Sequence, residues 1–332
     1  MDQSEQNDKI FTVDQKGFAS AAVEIFRFQY DNNPIYRNFS NALGFDNSKV
    51  QHIEQAPFLP INFFKTHTIQ TTLFDPQTIF ESSGTTGTVN SRHLVKDLSL
   101  YEKSFIKGFE IFYGPVQDYC ILGLLPSYLE RQNSSLLYMV DHLIRMSGHP
   151  SSGFYLNEFD KLLATLERLE QAKQKTILIG VTFALLDFAE KIIATGNAKQ
   201  LEHTIIMETG GMKGRREDMI REEVHQVLKN AFNVPAIHSE YGMTELLSQA
   251  YSQKDGIFHC PPWMKMYVRD EEDPSQVSKQ GAGLINVIDL ANIYSCSFIA
   301  TDDVGKVYED GSFEVLGRKD NSDLRGCSLL VA

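Results

Sequence analysis

The sequence predicts an α/β fold in which helices cover a largely parallel sheet, followed by a β-rich module. Two patterns carry this prediction. Between residues 159 and 238, short apolar runs alternate with amphipathic helical stripes, as expected of repeated β–α units. After Tyr251 the helical stripes stop and strand-like segments take over. At 332 residues and 42% hydrophobic content, the chain is long enough for a large core.

The elements before residue 126 are predicted from apolar periodicity. Apolar side chains at Ala22, Val23, Phe26 and Tyr30 form a helical stripe in a largely helical region of about 80 residues. An apolar strand is predicted at residues 78–80. A helix over 97–112 and a buried strand over 119–125 follow.

The middle and last parts of the chain continue the pattern. Helices are predicted over 159–169, 183–195 and 220–231, and strands over 176–181, 201–207 and 234–238. Further strands are expected at 283–290 and 298–300. Residues 307–315 read as a hairpin whose Asp310-Gly311 pair favours a type I′ turn.

Composition excludes several classes of protein. The net charge of −12 argues against a nucleic-acid surface, which needs clustered Lys and Arg. The polar, acidic first eight residues do not resemble a signal peptide, and no apolar run approaches the ~20 residues of a membrane span. Four scattered cysteines without a CxxC pair fit a reducing cytoplasm.

A hydroxyl-rich glycine loop follows the strand at 78–80 and has the chemistry of a polyphosphate cradle. Its glycines allow backbone N–H groups to point at phosphate oxygens, and the hydroxyls add donors. It differs from the P-loop because no Gly-Lys-Ser/Thr follows. Taken by itself, such a loop is equally well a surface turn. The candidate ligands are Ser82, Ser83, Gly84, Thr85, Thr86 and Gly87.

Three ordered motifs carry a resemblance to the adenylate-forming enzymes. The loop resembles their Ser-Ser-Gly-Thr-Thr-Gly signature, residues 241–245 resemble their Tyr-Gly-Met-Thr-Glu motif, and 301–303 with 317–320 resemble their ribose and hinge motifs. From about Phe11 onward the chain is most similar to the acyl-protein synthetases of bacterial bioluminescence. Phenylacetate–CoA ligases are more distant. The resemblance implies the large N-terminal domain of this fold.

The same resemblance implies a role for each matching residue. Tyr241 would stack on adenine beside Gly210, Gly211 and Gly242, and Thr244 would bond the α-phosphate. Glu245 would bind Mg²⁺, a hard cation that prefers oxygen ligands; an acid at a helix N-terminus is the alternative. Asp303 would anchor the ribose, with Asp302 as rival and a turn cap as alternative. Arg318 would pair with ribose or phosphate oxygens; a surface residue is the alternative. For His238, just before the motif, two interpretations stay open: contact with the acyl carboxylate, and a hydrogen-bonded histidine at a strand end.

The sequence departs from the family pattern after Asp320. Full-length relatives continue into a mobile C-terminal domain, which we expect this chain to lack. Cys327 stands where acyl-protein synthetases accept the acyl group; a packed apolar thiol is the alternative. Three regions are therefore predicted: an adenylation core (1–250), a β-rich subdomain with the ribose and hinge motifs (251–320), and a tail carrying Cys327 (321–332).

The predicted activity is ATP- and Mg²⁺-dependent conversion of a carboxylic acid, expected to be a fatty acid, into an acyl-adenylate. The acyl group would then move to Cys327 and on to a partner, such as a reductase, an acyl carrier protein or CoA. Two alternatives remain open at this point. One is a CoA ligase that needs a separately encoded C-terminal domain, and the other is a non-catalytic adenylate-binding scaffold.

Overall fold

A computed structural model describes residues 8–45, 50, 52–82, 89–126, 133–156, 158–196, 200–210 and 219–319. Within these residues, no helix is both long and apolar enough to cross a membrane.

The helices and strands of the described residues are numbered here in chain order. Helices α1 to α8 are Phe18–Asn32, Pro34–Ala42, Phe63–Thr66, Leu98–Tyr113, Ser135–Ser147, Phe159–Gln171, Thr182–Thr195 and Arg221–Phe232. Strands β1 to β14 are Leu59–Pro60, Thr78–Glu81, Arg92–Val95, Cys120–Leu124, Gly153–Phe154, Thr176–Val181, Thr204–Thr209, His238–Tyr241, Ala250–Ser252, Met264–Arg269, Val277–Ser278, Gly281–Asp289, Phe298–Val307 and Phe313–Arg318.

Helix α4 shows how local sequence sets an element and its packing. The Asp97 side chain accepts a hydrogen bond from the backbone N–H of Ser99 and caps the helix. The helix ends at Gly114, whose φ of +82° favours glycine. Leu100, Phe105 and Phe109 are buried on one side. Burial of each side chain stabilises the folded state by about 2 kcal/mol, which is more than the helix propensity of any single residue contributes.

One six-stranded sheet has the order β5-β4-β6-β7-β8-β9. All neighbours in it pair in parallel except β8 and β9. The α/β prediction with a largely parallel, helix-covered sheet is therefore confirmed. The carboxyl ends of parallel strands lie at one edge of a sheet, which is where ligands bind in folds of this type.

Two strands of this sheet begin later than the sequence suggests. The strand predicted over 234–238 starts only at His238, because Asn233 takes a left-handed conformation (φ +49°) that ends α8. The N–H of Val234 then bonds back to the carbonyl of Lys229. The strand predicted from residue 201 starts at Thr204.

A second sheet forms from the C-terminal strands in the order β1-β13-β12-β10-β11, with β14 paired to β13. It is antiparallel apart from the β1–β13 pair, which brings residues 59 and 60 into it. The turn between β13 and β14 is not type I′, which needs positive φ at two residues. Only Gly311 has one (+84°), and its N–H donates to the carbonyl of Tyr308.

A separate two-stranded ribbon pairs β2 with β3 in antiparallel register. Its strands flank the predicted phosphate loop, so the loop is the connection of a β-hairpin. Phe80 is fully buried on this ribbon and packs edge-on against Tyr101 of α4. The base of the loop is thus attached to the main core.

Candidate functional site

The two ends of the predicted phosphate loop are joined by hydrogen bonds. The N–H of Ser82 donates to the carbonyl of Ser91 (3.1 Å), and the N–H of Ser91 donates to Oγ of Ser82 (2.9 Å). The N–H of Glu81 also donates to the carbonyl of Asn133. These bonds hold the start and end of the loop together and attach them to the segment that leads into α5. Its predicted ligands Ser83, Gly84, Thr85, Thr86 and Gly87 lie outside the described residues.

Gly210 and Gly242 stand at the carboxyl ends of β7 and β8. Gly210 has a φ of +71°, and its carbonyl accepts a hydrogen bond from the Thr182 hydroxyl (2.9 Å). A Cβ on Gly242 would lie 2.5 Å from Oε1 of Glu240, so any larger residue would displace that carboxyl group. Gly211 lies outside the described residues.

Thr244 and Glu245 lie in a turn between β8 and β9, so the alternative of a helix N-terminus for Glu245 is wrong. Two side chains hold the backbone of this turn. Nδ1 of His93, on β3, bonds the carbonyl of Thr244 at 2.8 Å. The amide of Asn292 donates to the carbonyl of Glu245 at 2.7 Å. The turn is therefore attached both to the strand that follows the phosphate loop and to the connection between β12 and β13.

The residues that follow this turn are held by Asp289, which is fully buried. Its carboxylate accepts hydrogen bonds from the N–H groups of Leu247, Ser248 and Ala291 and from the Ser248 hydroxyl. Burial raises the pKa of Asp289 to about 6, although these bonds act in the opposite direction.

Glu245 is 5% exposed, which is unusual for an acid with no ion-pair partner within 4 Å among the described residues. Burial raises its pKa, and interaction with Ser91 and the charges of Arg318 and Lys65 offset only part of the rise. A divalent cation beside the carboxylate would supply the missing positive charge. The environment of Glu245 thus suits a residue that binds a divalent cation.

Asp303, Tyr241 and Arg318 come together although they belong to different sheets. The Tyr241 hydroxyl donates to Oδ2 of Asp303 at 2.7 Å, and Nε of Arg318 lies 3.9 Å from Oδ1. Asp303 sits within strand β13 opposite Arg318 on β14, so the turn-cap alternative is wrong. Burial raises the pKa of Asp303 despite both partners. The charge of Arg318 acts on Glu245 as well as on Asp303.

Tyr241 is 9% exposed, and its ring packs edge-on against Phe258 and Phe313. These contacts fix the plane of the ring. Asp302, the rival ribose anchor, has its carbonyl bonded to the N–H of Lys319.

His238 begins strand β8 and is half-buried. Its Nδ1 lies 3.2 Å from the Tyr113 hydroxyl, and burial lowers its pKa to about 4. The imidazole is therefore neutral near pH 7, able to donate or accept a hydrogen bond but not to supply positive charge.

Some residues that contact the predicted site were not singled out from the sequence. Ser91 lies just before β3 and His93 lies on it, two residues further on, which is a weak signal for a shared face. No local pattern marks Asn292 or Thr209. Of the predicted site residues, Cys327 lies outside the described residues.

The fold is that of the adenylate-forming enzymes. The chain is similar to 2-hydroxyisobutyryl-CoA ligase, whose structure was solved in complex with R3-HIB-AMP; the TM-score is 0.60 at 10% identity, over 96% of this chain and 69% of that one. It is also similar to a coronafacic acid ligase mutant from Pectobacterium brasiliense, with a TM-score of 0.44 at 17% identity over 67% of this chain. There it spans only 42% of that enzyme's length.

The family is set by sequence. The family model "Acyl-protein synthetase, LuxE" matches residues 5–332, and the chain therefore belongs to the acyl-protein synthetase family. It is 26% identical to the long-chain-fatty-acid–luciferin-component ligase of Aliivibrio fischeri, over 93% of this chain and 86% of that protein. The predicted family and the ligase class are confirmed.

Proposed function

We propose that this chain uses ATP and Mg²⁺ to activate a carboxylic acid, expected to be a fatty acid, and then carries the acyl group on Cys327. An oxygen of the acid attacks the α-phosphorus of ATP, the bond from that phosphorus to the bridging oxygen breaks, and pyrophosphate leaves. The Cys327 thiolate then attacks the carbonyl carbon, and AMP leaves. The observation that carries this proposal is the convergence of Tyr241, Asp303 and Arg318 beside Glu245.

The nucleotide would lie across the carboxyl ends of β7 and β8. Gly210, Gly211 and Gly242 would allow the adenine to approach the backbone, with the Tyr241 ring against it. One oxygen of Asp303 already accepts from Tyr241, and the other faces Arg318 at 3.9 Å, which leaves room for ribose hydroxyls. The loop formed by Ser82, Ser83, Gly84, Thr85, Thr86 and Gly87 would bind the β- and γ-phosphates.

Thr244 and Glu245 would act at the α-phosphate. The Thr244 hydroxyl would donate to a phosphate oxygen, and Glu245 would hold Mg²⁺ together with phosphate oxygens and water. When bound, Mg²⁺ neutralises the charge that builds up as pyrophosphate leaves. His93 and Asn292 keep the turn in place, so the two side chains need little reorganisation during the reaction.

Neutral His238 would orient the acid at the start of β8. A positively charged group there would favour the carboxylate in the ground state as well as in the transition state, which raises affinity without raising the rate. A neutral imidazole instead donates one hydrogen bond and fixes the direction of attack. Its contact with Tyr113 sets the orientation of the ring.

The other cysteines support the choice of Cys327 as acyl carrier. Cys120 and Cys296 are buried and Cys260 is half-buried. Burial raises the pKa of the Cys120 and Cys260 thiols and raises that of Cys296 to about 12. All three are therefore held as thiols near pH 7, whereas the thiolate is the nucleophile. From Cys327 the acyl group would pass to a reductase, an acyl carrier protein or CoA.

The test of the carrier step is intact-mass measurement after incubation with ATP, Mg²⁺ and a series of fatty acids. We expect a hydroxylamine-labile mass increase equal to the acyl group, absent in Cys327→Ser and retained in Cys260→Ser. The same increase in Cys327→Ser would show that another residue is the carrier. Exchange of pyrophosphate into ATP without any mass increase would assign the acyl group to an external thiol.

A further inference from the structure

Three buried carboxyl groups near the candidate site differ in how well they are paired. Asp289 accepts the four hydrogen bonds described above. Glu208 accepts from the Thr182 hydroxyl (2.9 Å) and lies 3.4 Å from Arg221 and 3.6 Å from His225. Glu240 is 8% exposed, and Thr209 is its one hydrogen-bonding partner among the described residues. Burial of a carboxyl group with so few hydrogen-bonding partners destabilises a protein unless a ligand supplies the missing hydrogen bond.

Strand register shows where Glu240 lies. It pairs with Thr209 of β7 on one side and with Tyr251 of β9 on the other. Residues in register on neighbouring strands project from the same face of a sheet. Met207 and Tyr251 on this face line a narrow apolar cavity. The cavity is completed by Phe109, Ile121, Met139, Val140, Leu143, Ile177 and Ile179.

Glu240 therefore stands between the apolar cavity and the predicted nucleotide slot. Tyr241 follows Glu240 in the chain. Across the sheet, Thr209 is followed by Gly210. Oε1 of Glu240 lies over Gly242. The titratable groups that interact with Glu240 are Tyr101 and Tyr113 on α4, Tyr251 on β9, and Glu208 on β7, whose side chain projects from the opposite face of the sheet.

We propose that the Thr209–Glu240 pair recognises a hydroxyl group on the chain of the substrate acid, so that the site prefers hydroxy acids to unsubstituted acids of equal length. This inference rests on the proposed function. A hydroxyl can donate to Oε1 of Glu240, whereas an alkyl chain would leave that oxygen without a partner. Sites built to bond a substrate hydroxyl discriminate strongly against analogues that lack it.

The electrostatics of the pair favour a hydroxyl over an ammonium group. Burial raises the pKa of Glu240 to about 7, the nearby charge of Glu208 raises it further, and the Thr209 bond acts in the opposite direction. The carboxyl group is thus close to half-protonated at neutral pH. A hydroxyl can pair with either form because it both donates and accepts, while an ammonium group needs the ionised form.

The test is ATP–pyrophosphate exchange with hexanoate, decanoate and tetradecanoate, each beside its 2-hydroxy and 3-hydroxy forms. We expect kcat/KM for one hydroxy form to exceed that of the unsubstituted acid by about tenfold or more. In Glu240→Met and in the near-isosteric Thr209→Val this ratio should fall toward one, with KM for ATP unchanged. Glu240→Gln should keep most of the preference because an amide also donates and accepts.

Two controls separate specificity from folding. Glu110→Met changes an exposed glutamate on α4 and should leave the ratio as in the wild type. Thermal unfolding of each variant shows whether it is folded. A wild-type ratio at or below one for every chain length would overturn the inference while leaving the proposed function intact, and so would an unchanged ratio in Glu240→Met. Absence of exchange with every acid would contradict the proposed function itself.

Discussion

The hydroxyl of Tyr241 donates a 2.7 Å hydrogen bond to Asp303 and so joins the last residue of β8 in one sheet to β13 in the other. The two residues are 62 positions apart in the chain. The residue proposed to lie against adenine therefore also orients the carboxylate proposed to hold ribose. Changing one should affect the other.

Tyr241→Phe should weaken ATP binding while the aromatic ring stays in place. Loss of the hydroxyl removes a bond that lowers the pKa of Asp303, so the carboxylate becomes less well fixed and burial raises its pKa further. We expect KM for ATP to rise about fivefold, kcat to change less, and the free energy of unfolding to fall by about 1–2 kcal/mol. Pyrophosphate exchange at varied ATP and urea denaturation give these quantities.

Tyr155→Phe is the matched control for this change. Its buried hydroxyl also donates one hydrogen bond, here to the backbone carbonyl of Ser151, close to strand β5 at the far edge of the sheet. It should lose similar stability with no change in KM for ATP. If Tyr241→Phe shifts KM no more than this control does, the link between the two residues has no role in nucleotide binding.

The hydrogen bond from His93 to the Thr244 carbonyl should support kcat by holding the turn that carries Thr244 and Glu245 in position. Burial lowers the pKa of His93 to about 4, so the ring is neutral near pH 7, and Nδ1 carries the proton that bonds the carbonyl. In His93→Asn an amide nitrogen can stand near the position of Nδ1, while in His93→Gln it reaches the position of Nε2. We expect His93→Asn to keep kcat within about threefold and His93→Gln to lose about tenfold or more.

Kinetics at saturating ATP and acid measure this difference, with denaturation curves run beside them. A purely structural role would make both variants lose activity in proportion to their stability. Equal kcat for the two variants at equal stability would therefore refute the positioning role.

Glu240 should make stability fall as pH rises from mildly acidic to neutral values. Its pKa is about 7 in the folded protein and near 4.5 in the unfolded chain. Between these values the folded state holds a proton that the unfolded state has lost, so the free energy of unfolding decreases with rising pH. The total decrease in the free energy of unfolding from this group is at most roughly 3 kcal/mol.

Urea denaturation of the wild type and Glu240→Gln at pH 5, 6, 7 and 8 isolates this contribution from that of Asp289, which has the same sign. The wild type should lose stability relative to the variant up to about pH 7, after which the difference stays constant. Parallel curves over the whole range would mean that Glu240 titrates normally.

Gly242→Ala should destabilise the protein by displacing the Glu240 carboxyl group, since the new Cβ would lie 2.5 Å from Oε1. Removing that carboxyl group should relieve the contact. We therefore expect Gly242→Ala to lose stability by about 1–3 kcal/mol and the double variant with Glu240→Ala to lose less than the sum of the two single changes. Additive losses in denaturation would show that the contact relaxes without cost.

The architecture was largely predictable because its signals are local. The stripe of α4, its Asp97 cap and the apolar run of β4 all lie within short stretches of sequence, and the structure has these elements at the predicted places. The starts of β7 and β8 were predicted too early because Leu201 and Val234 are apolar. The conformation of Val234 is instead set by the left-handed Asn233 that ends α8.

The site was predictable only where its residues form motifs. Tyr241, Thr244 and Glu245 lie within five consecutive residues, whereas the contact of His93 with Thr244 spans 151 residues and depends on how the β2–β3 ribbon packs. The pairing of Thr209 with Glu240 depends on strand register, which local sequence does not reveal. The domain boundaries at 250 and 320, the loop ligands and Cys327 stay predictions.

The most direct test of the account is acid-dependent exchange of pyrophosphate into ATP, measured for the wild type, Glu245→Gln and Cys327→Ser. Activation at the proposed site predicts exchange that requires Mg²⁺ and a carboxylic acid, that falls at least about a hundredfold in Glu245→Gln, and that persists in Cys327→Ser. Exchange that is unaffected by Glu245→Gln, or that is absent with every acid, would contradict it.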